Sequence, residues 1–428
     1  MNVYKTADGS VSGLYALLAD RATRTGAGIT EKVASVLEDV RTRGDDALYD
    51  YCERFDGFRP DRLEMTADEI RERIGQVSAD MYGTLERAAA NIRAYHEKQL
   101  SAGYEMSGNG KTLGRIVRPL ARVGVYVPGG TAAYPSTVLM NCIPAAVAGV
   151  PEIVLVTPPK AEGVSPCVIA AAVLAGVTRI FTVGGAQAVA ALAYGTESVP
   201  KVDKIVGPGN MFVAEAKRQV FGHVDIDMIA GPSEVCVIAD GSVPESYASA
   251  DFLSQLEHDR AASATLITPD AAYAQRVEAE IGRQLAALPR CEIASASYRD
   301  YSAVVLCRDL DEAVRVANEI APEHLEILTR DPMALLDKVE NAGSIFLGAY
   351  APEPMGDYFA GTNHVLPTSG TARFSSPLSV DDFVKKMSYL SYSRDAFLSE
   401  ADDVIRFAGA EGLEAHANSV RIRKEKTS

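Results

Sequence analysis

Six histidines mark where this chain could do chemistry, because an imidazole nitrogen can bind a transition metal or move protons near neutral pH. Four of them stand among acidic or amide residues in the C-terminal half of the chain. They are His258, His324 next to Glu323, His364 next to an asparagine, and His416 near the C-terminus. This clustering predicts a metal-dependent active site.

The first part of that site is Gln255 and His258, which lie three residues apart. Ser242-Val-Pro-Glu245 is a capping-box pattern, so we expect a helix over 243–258 with both side chains on one face. An amide oxygen and an imidazole nitrogen placed in this way could hold one ion. Any surface helix can carry the same spacing, so the pair is weak support by itself.

Asp357 and His416 complete a possible ligand set. Asp357 follows a glycine in a loop-rich stretch, where backbone freedom can aim a carboxylate at a site, although a turn-forming aspartate explains it better in isolation. His416 alone could be an ordinary exposed helix residue. With Gln255 and His258, however, they supply two nitrogens and two oxygens, which suits a divalent ion such as zinc.

Glu323 and His324 are candidates for proton transfer. They lie between the end of a helix and the start of an apolar strand, in Ala321-Pro-Glu-His-Leu-Glu326. Side by side at a strand edge, they can reach one bound substrate as an acid–base pair. The alternative is that a helix-stopping proline is followed by ordinary polar residues. His96, which ends a helical pattern and has no ligand partner spaced beside it, is better explained by packing.

Three glycine-rich turns point to a phosphorylated ligand. They are Val127-Pro-Gly-Gly130, Gly184-Gly-Ala-Gln187 and Gly207-Pro-Gly-Asn210, each between a strand and a helix. Free backbone amides and helix N-termini favour phosphate at such turns, so three on successive strands suggest a nucleotide crevice at the carboxyl edge of a sheet. None is the Gly-x-Gly-x-x-Gly fingerprint, so the pattern does not separate NAD from another phosphorylated ligand.

Short apolar runs that alternate with helical stretches from Arg115 onward must position these residues. Alternation of this kind predicts parallel strands joined by helical crossovers. We therefore expect an α/β fold of two Rossmann-like α/β domains with parallel-sheet cores, plus helical N-terminal and C-terminal segments. The first series has strands at 123–127, 153–156, 179–183, 204–206 and 235–239 and helices at 136–148, 168–175, 186–194 and 211–221, and the second has strands at 265–268, 303–307, 325–328 and 344–347.

Four regions follow from this pattern. Residues 1–114 are a helical region expected to pack on the second α/β unit. Residues 115–240 form the first, nucleotide-binding α/β domain, and residues 241–378 form the second, with the metal and catalytic residues. Residues 379–428 are a helical C-terminal segment. Within the second domain, 348–379 holds too many prolines and glycines for a regular element.

The charge balance favours a small-molecule substrate. The 42 Lys and Arg against 57 Asp and Glu give a net charge of −15, which argues against nucleic acid or an anionic membrane as the main partner. The N-terminus lacks a secretory signal pattern, no apolar run is long enough for a membrane helix, and the six cysteines form no Cys-x-x-Cys pair. We expect a cytoplasmic protein whose thiols are mostly buried and free.

Taken together, the motifs resemble those of the histidinol dehydrogenase family of zinc- and NAD-dependent enzymes. They run in family order over most of the chain. Glu353-Pro-Met355, just before Asp357, is interpreted as loop variation. The matching strings are Val123-Gly-Val-Tyr-Val-Pro-Gly-Gly130, Gly184-Gly-Ala-Gln187, Gly207-Pro-Gly-Asn210, Ala230-Gly-Pro-Ser-Glu234, Gln255-x-Glu-His-Asp259, Ala321-Pro-Glu-His-Leu-Glu326 and Gly356-Asp-Tyr…Asn363-His-Val-Leu-Pro-Thr368.

The resemblance implies a role for each matching position. It implies a homodimer in which the C-terminal segment reaches into the partner's site, and it assigns catalysis to Glu323 and His324. It further implies zinc ligation by Gln255, His258, Asp357 and His416, NAD contacts from Tyr126, Gln187 and Asn210, and substrate contacts from Ser233, Gln255, His258, His324, Asp357, His364, Glu411 and His416.

The implied reaction is the zinc-dependent oxidation of L-histidinol to L-histidine through L-histidinaldehyde with two NAD, the last step of histidine biosynthesis. Zinc would bind the imidazole and amino nitrogens of the substrate, His324 would be the base for the alcohol, and Glu323 would activate water against the aldehyde. One alternative is a related zinc- and NAD-dependent dehydrogenase for another small alcohol, against which His364 and Glu411 favour histidinol. Others are a zinc hydrolase, which has no use for nucleotide-type turns, and a binding protein with structural zinc, which needs no proton-transfer pair.

Overall fold

The computed structural model describes residues 1–23, 28–129 and 134–425. It contains two parallel sheets with helical crossovers, which confirms the predicted α/β class, and one antiparallel sheet that was not predicted. The strands are β1 (Asn2–Lys5), β2 (Tyr104–Gly108), β3 (Lys111–Pro119), β4 (Arg122–Tyr126), β5 (Glu152–Thr157), β6 (Arg179–Thr182), β7 (Lys204–Val206), β8 (Asp225–Ile226), β9 (Glu234–Ala239), β10 (Ser263–Thr268), β11 (Ser302–Leu306), β12 (His324–Leu328), β13 (Ser344–Leu347) and β14 (Val384–Tyr392).

Helices connect most of these strands. Several begin after a serine, threonine, aspartate or asparagine whose side chain accepts hydrogen bonds from the first free amides. The α-helices are α1 (Val11–Thr23), α2 (Ile29–Arg43), α3 (Asp45–Tyr51), α4 (Ala67–Gly75), α5 (Ala79–Glu97), α6 (Pro135–Ala148), α7 (Pro166–Ala175), α8 (Gly185–Tyr194), α9 (Met211–Val220), α10 (Glu245–Leu256), α11 (Ala271–Leu285), α12 (Cys291–Tyr301), α13 (Leu310–Ile320), α14 (Met333–Leu336), α15 (Glu353–Met355), α16 (Arg394–Ala410) and α17 (Glu414–Glu425).

The first parallel sheet has the order β6-β5-β4-β7-β8. Its central strands, β5, β4 and β7, are rich in Val, Ile and Leu and are largely buried, because helices cover both faces of the sheet. The chain adds β5 and β6 on one side of β4, and β7 and β8 on the other side. The direction of winding therefore reverses between β4 and β7, and ligands of such sheets bind at the carboxyl ends of the strands at this switch point.

The second parallel sheet has the order β1-β11-β10-β9-β12-β13. It includes 235–239, which we had grouped with the first series. That grouping was wrong, because Val235 pairs with Ala264 of β10 and with His324 of β12. Both neighbours lie further along the chain, so local periodicity could not show which sheet this buried strand joins.

The sequence predicts that the N-terminal helices pack on the second α/β unit, but most of them pack on the first sheet instead. Val33 and Leu37 of α2 share a core with Val189 of α8, and Leu85 of α5 shares another with Ile143 of α6, so these helices cover the first sheet. Within the described part of the N-terminal region, the start of the chain joins the second sheet through β1 and α1. The amphipathic pattern predicted helices that need a partner, but not which sheet supplies it.

Leu100–Pro119 and the segment from Val384 onward form a separate compact unit. Its antiparallel sheet has the order β14-β3-β2, with α16 and α17 beside it in the same unit. The two terminal segments were expected to be helical, but each contributes strands here. Gly114 on β3 allows the pairing, because a Cβ at that position would collide with the ring of Tyr389 on β14.

Candidate active site

A cleft of about 290 Å³ lies in the unit that holds both parallel sheets. It brings together most of the predicted site residues, although they come from separate parts of the chain. Those that line it are Asn210, Ser233, Gln255, His258, Glu323, His324, Asp357 and His364.

The second sheet presents its reactive side chains at the amino ends of two central strands. His324 is the first residue of β12, Glu323 precedes it, and Ser233 precedes the neighbouring β9. The first sheet instead contributes the turns after β4 and β7, at its carboxyl edge. The cleft therefore lies between the switch point of one sheet and the amino edge of the other.

Glu323 is held as an acceptor in a nearly dry environment. Its Oε2 accepts a hydrogen bond from the backbone amide of Glu234 at 2.9 Å, and only 8% of the residue is exposed. Burial disfavours the charged carboxylate and raises the pKa of Glu323 to about 7. A carboxyl group that titrates near neutrality can both accept and return a proton.

His324 has one nitrogen bound by the backbone and one facing acidic groups. Its Nδ1 donates to the carbonyl oxygen of Glu234 at 2.9 Å, and its Nε2 lies 3.8 Å from Oδ1 of Asp357 and 4.0 Å from Oε1 of Glu353. Burial alone would lower the pKa of His324, but the charges of Glu323, Asp357 and Glu353 raise it to about 10. Without another cation beside these carboxylates, the His324 ring is therefore protonated and acts as a proton donor.

The same corner has the donor set of a cation site. Ligand atoms of His324, Glu353 and Asp357 all lie within 4.8 Å of one another. In addition, Oε1 of Gln255 is buried without a hydrogen-bond partner among the described residues. Buried acceptors are rarely left unpaired, so this oxygen fits a divalent ion.

Sequence reasoning missed Glu353. It was interpreted as loop variation, but it is 2% exposed, and burial together with the charge of Asp357 raises its pKa to about 8. A glutamate between two prolines resembles a surface turn, and only its contact with Asp357 and His324 distinguishes it. The signal that could have found it is its spacing, four residues before a predicted ligand in a stretch otherwise poor in charge.

The helix that carries Gln255 differs from the expected one at both ends. The capping box is absent, because the Ser242 hydroxyl bonds to Asp240 and the helix begins only after Pro244. It ends at Leu256, so Gln255 lies in its last turn and His258 just beyond. The His258 amide still donates to the Gln255 carbonyl at 3.1 Å, which keeps both side chains on the cleft.

Asp357 lies in a short π-helical turn, Gly356–Ala360, that follows α15. The sequence predicted no regular element in this stretch, and these two short helical elements correct that prediction. Burial would raise the pKa of Asp357, but the nearby imidazoles of His324 and His364 hold it below its usual range. His364 donates from Nδ1 to the Asp357 carbonyl oxygen at 3.1 Å. Asp357 therefore stays a carboxylate that can bind a cation.

A second, larger cavity of about 870 Å³ holds the three predicted cofactor contacts. Tyr126 and Gln187 line it, and Asn210 lines both this cavity and the cleft. The Asn210 side chain also caps α9 by accepting from the Phe212 and Val213 amides. The two cavities therefore adjoin at Asn210, and also at Pro128, which lines both.

The second glycine-rich turn, which lines the larger cavity, requires glycine at Gly185. Gly185 has φ of +63°, and a Cβ there would collide with the Gln187 amide. The Gly185 amide donates to the Tyr126 hydroxyl at 3.2 Å, so the start of α8 and the end of β4 are tied together. Gly130, the last residue of the first predicted turn, lies outside the described residues.

Glu411 and His416 belong to the other compact unit, where Glu411 directly follows α16 and His416 lies on α17. The described residues that line the cleft all come from the first unit. His96 is fully buried, with Nδ1 bonded to the Ile92 carbonyl at 2.8 Å, as expected for a packing histidine. His223 is exposed and lies 3.3 Å from the Lys201 amine.

Fold and cleft together define an α/β protein with two parallel sheets, whose imidazole- and carboxylate-lined cleft adjoins a larger cavity of about 870 Å³. The histidinol dehydrogenase family model matches residues 19–424. The chain is 53% identical over 410 residues to a histidinol dehydrogenase of Heliobacterium mobile, covering 95% of this chain and 96% of that one. It is 54% identical over 396 residues to one of Geobacillus kaustophilus, covering 92% and 93%.

A solved structure agrees. The crystal structure of histidinol dehydrogenase from Elizabethkingia anophelis matches with a TM-score of 0.94 at 35% identity, covering 100% of this chain and 98% of that one. The chain therefore belongs to the histidinol dehydrogenase family and is an oxidoreductase. Across residues 1–23, 28–129 and 134–425, every helix is too short or too polar to cross a membrane.

Proposed function

We propose that this protein oxidises L-histidinol to L-histidine through L-histidinaldehyde, with zinc bound in the cleft and two NAD accepting the hydrides in turn. The observation that supports this most is the junction of the two cavities at Pro128 and Asn210. A hydride donor in the cleft and an acceptor in the larger cavity would meet there, as direct transfer requires. The first parallel sheet, β4 to β8, and its covering helices would serve as the nucleotide-binding part of the protein.

The proposed zinc ligands are Gln255, His258, Asp357 and the partner subunit's His416. The partnerless Oε1 of Gln255 and the low pKa of Asp357 support this choice. Zinc, when bound, supplies a positive charge that grips and orients the substrate. Glu353 lies beside Asp357, and the two carboxyl groups repel each other when both are charged. A bound cation would reduce that repulsion.

His324 would take the alcohol proton, and Glu323 would take a proton from the water that adds to the aldehyde. The Glu234 carbonyl holds the His324 Nδ1 proton, so Nε2 is the atom free to accept. Surrounding carboxylates keep that nitrogen protonated, so a cation that neutralises them is needed for His324 to act as a base. Ser233 and His364, on the wall of the same cleft, would contact the substrate.

We also propose a homodimer in which Glu411 and His416 complete the partner's site. The unit that carries them has large apolar side chains open to solvent, among them Leu390 at 72% and Phe407 at 71% exposure. Such exposed groups on one small unit are typical of an interface.

We propose a cytoplasmic location as well. All six cysteines are free thiols, which supports a reducing compartment.

Following NADH absorbance with purified protein, L-histidinol and NAD tests the proposal. We expect two NADH for each histidine formed. One NADH with another small alcohol would indicate a related dehydrogenase, whereas hydrolysis without NADH would indicate a zinc hydrolase. Zinc without turnover on any alcohol would leave only a structural metal.

A further inference from the structure

We propose that Asp56 is the residue that selects NAD over NADP. Its carboxylate would accept a hydrogen bond from the 2′-hydroxyl of the adenosine ribose in NAD, and its negative charge would repel the 2′-phosphate of NADP. The inference rests on the proposed function, since it requires that the larger cavity holds a nicotinamide dinucleotide. It concerns a position that neither the glycine-rich turns nor the predicted cofactor contacts include.

Asp56 lines the larger cavity from the side of the N-terminal helices. It ends a π-helical turn, Cys52–Asp56, that extends α3, and Gly57 with φ of +68° then turns the chain away. The same cavity wall includes Tyr126, whose pKa burial raises to about 12, with a further rise from the nearby Asp56 charge. Asp56 thus lies on the wall of the cavity near one of the predicted NAD contacts.

The Asp56 carboxylate has no partner that would explain its burial. Its Oδ2 is shielded from solvent and has no hydrogen-bond partner among the described residues. Burial raises the pKa of Asp56 to about 6, and no donor or cation opposes that rise. A partly buried carboxylate that no donor or cation stabilises is costly to the fold, so its place on the wall of a ligand cavity points to a role toward the ligand.

The surroundings identify that donor as part of a nucleoside. The ring of Phe55, the preceding residue, is stacked on Tyr51 with centroids 5.2 Å apart, and both line the cavity. A flat aromatic surface beside a carboxylate suits a purine with its ribose hydroxyls. This wall does not border the reaction cleft, whereas Asn210 does, so the adenosine half of a dinucleotide belongs here and the nicotinamide half near Asn210.

Two cations on the same wall favour the opposite preference. Lys32 and Arg54 line the cavity and could attract a 2′-phosphate. Both residues are exposed, so water and salt screen their charges, and Arg54 lies over the Phe55 ring. The partly buried Asp56 charge acts through a lower dielectric, so its repulsion of a second phosphate outweighs their attraction.

The test is calorimetric binding of NAD, NADP and 2′-deoxy-NAD to the wild-type zinc-loaded protein and to Asp56→Asn. We expect wild type to prefer NAD, and Asp56→Asn to reduce the ratio of the NADP to the NAD dissociation constant by about 10- to 100-fold. Loss of the 2′-hydroxyl should weaken binding about tenfold in wild type and much less in the variant. Glu53→Gln, which removes the same charge from an exposed position outside the cavity, is the matched control and should change none of these ratios.

Melting temperatures show whether each variant is folded, and Asp56→Ser gives a second variant if Asn is poorly tolerated. An unchanged NADP-to-NAD ratio in a folded Asp56 variant would overturn the selection by Asp56 while leaving the proposed enzyme intact. Absence of NAD binding and of histidinol oxidation in the wild type would instead overturn the proposed function, and this inference with it.

Discussion

His324 and Glu234 are joined by a hydrogen bond of 2.9 Å from the imidazole Nδ1 to the backbone carbonyl oxygen. A carbonyl can only accept, so Nδ1 carries a proton and Nε2 is the nitrogen that faces the cleft. The amide of the same Glu234 donates to Glu323. One peptide segment at the start of β9 therefore orients both proposed proton-transfer groups.

This shared anchor gives the two groups different roles that can be separated. Glu323→Gln keeps size but removes the base, so oxidation of the aldehyde should fall more than oxidation of the alcohol, by about 10²–10⁴-fold. His324→Asn should mainly slow the alcohol step. Rates measured with L-histidinol and with L-histidinaldehyde as separate substrates compare the two. Equal slowing of both steps by both variants would show that the division of roles is wrong.

The raised pKa of Glu323 predicts a pH dependence for the aldehyde step. A general base must be ionised, so the rate should be low below the pKa of about 7, rise as pH increases through it, and level off above. The measurement is a pH profile of single-turnover aldehyde oxidation. Glu323→Gln should lose this rise and keep only residual activity. A wild-type profile that is flat between pH 5 and 9 would remove Glu323 from the role of base.

The anchor itself depends on a buried ion pair. The Glu234 carboxylate pairs with Arg21, and both are at most 5% exposed. Arg21→Met would leave the buried Glu234 carboxyl without its countercharge, so the free energy of unfolding should fall by about 3–5 kcal/mol. Urea titration measures it, with Arg299→Met, which breaks an exposed pair with Asp300, as the control that should change little. A similar small loss in both variants would contradict a structural role for Arg21.

The sequence predicted the parts of the fold that local pattern decides. β7 and β13 have the expected bounds, because a short apolar run between turn residues is too short for a helix and favours a strand. The expectation failed where partners are distant in the chain: β14 pairs with β3 across more than 250 residues, and its exposed, polar-rich pattern does not resemble a core strand. Sheet membership of β9 failed for the same reason.

In the site, motif residues could be found, but their neighbours could not. Gln255, Glu323 and Asp357 carry recognisable strings, and the cleft contains all three. Asp56 is distinguished only by a partly buried carboxylate oxygen without a hydrogen-bond partner, and Glu353, apart from its spacing from Asp357, only by its burial beside Asp357 and His324. Both features depend on packing by elements remote in sequence.

Removal of the metal should abolish turnover, and zinc should restore it, because substrate placement depends on the ion. His258→Ala and Asp357→Ala should lower zinc content, measured by atomic absorption after equilibration with a limiting chelator. His223→Ala is the matched control, because that histidine is exposed and lies outside the cleft. His96→Ala should also keep its zinc where it folds, although His96 is buried.

Two results would contradict this metal site. Full activity in protein shown to be metal-free would exclude a zinc requirement. Equal loss of zinc in His258→Ala and His223→Ala would show that histidine content, rather than this arrangement, accounts for binding.

Mixed dimers test whether the site is shared between subunits. If His416 comes from one chain and Asp357 from the other, Asp357→Ala and His416→Ala homodimers each have two defective sites and should be inactive. After equal amounts are refolded together, about half the dimers are mixed, and in each mixed dimer one site carries both defects and the other none. Two-fold symmetry then predicts recovery of roughly a quarter of wild-type activity. A site built within one chain stays damaged in every dimer, so no recovery in verified mixed dimers would place His416 in its own subunit's site and exclude the exchange of C-terminal segments.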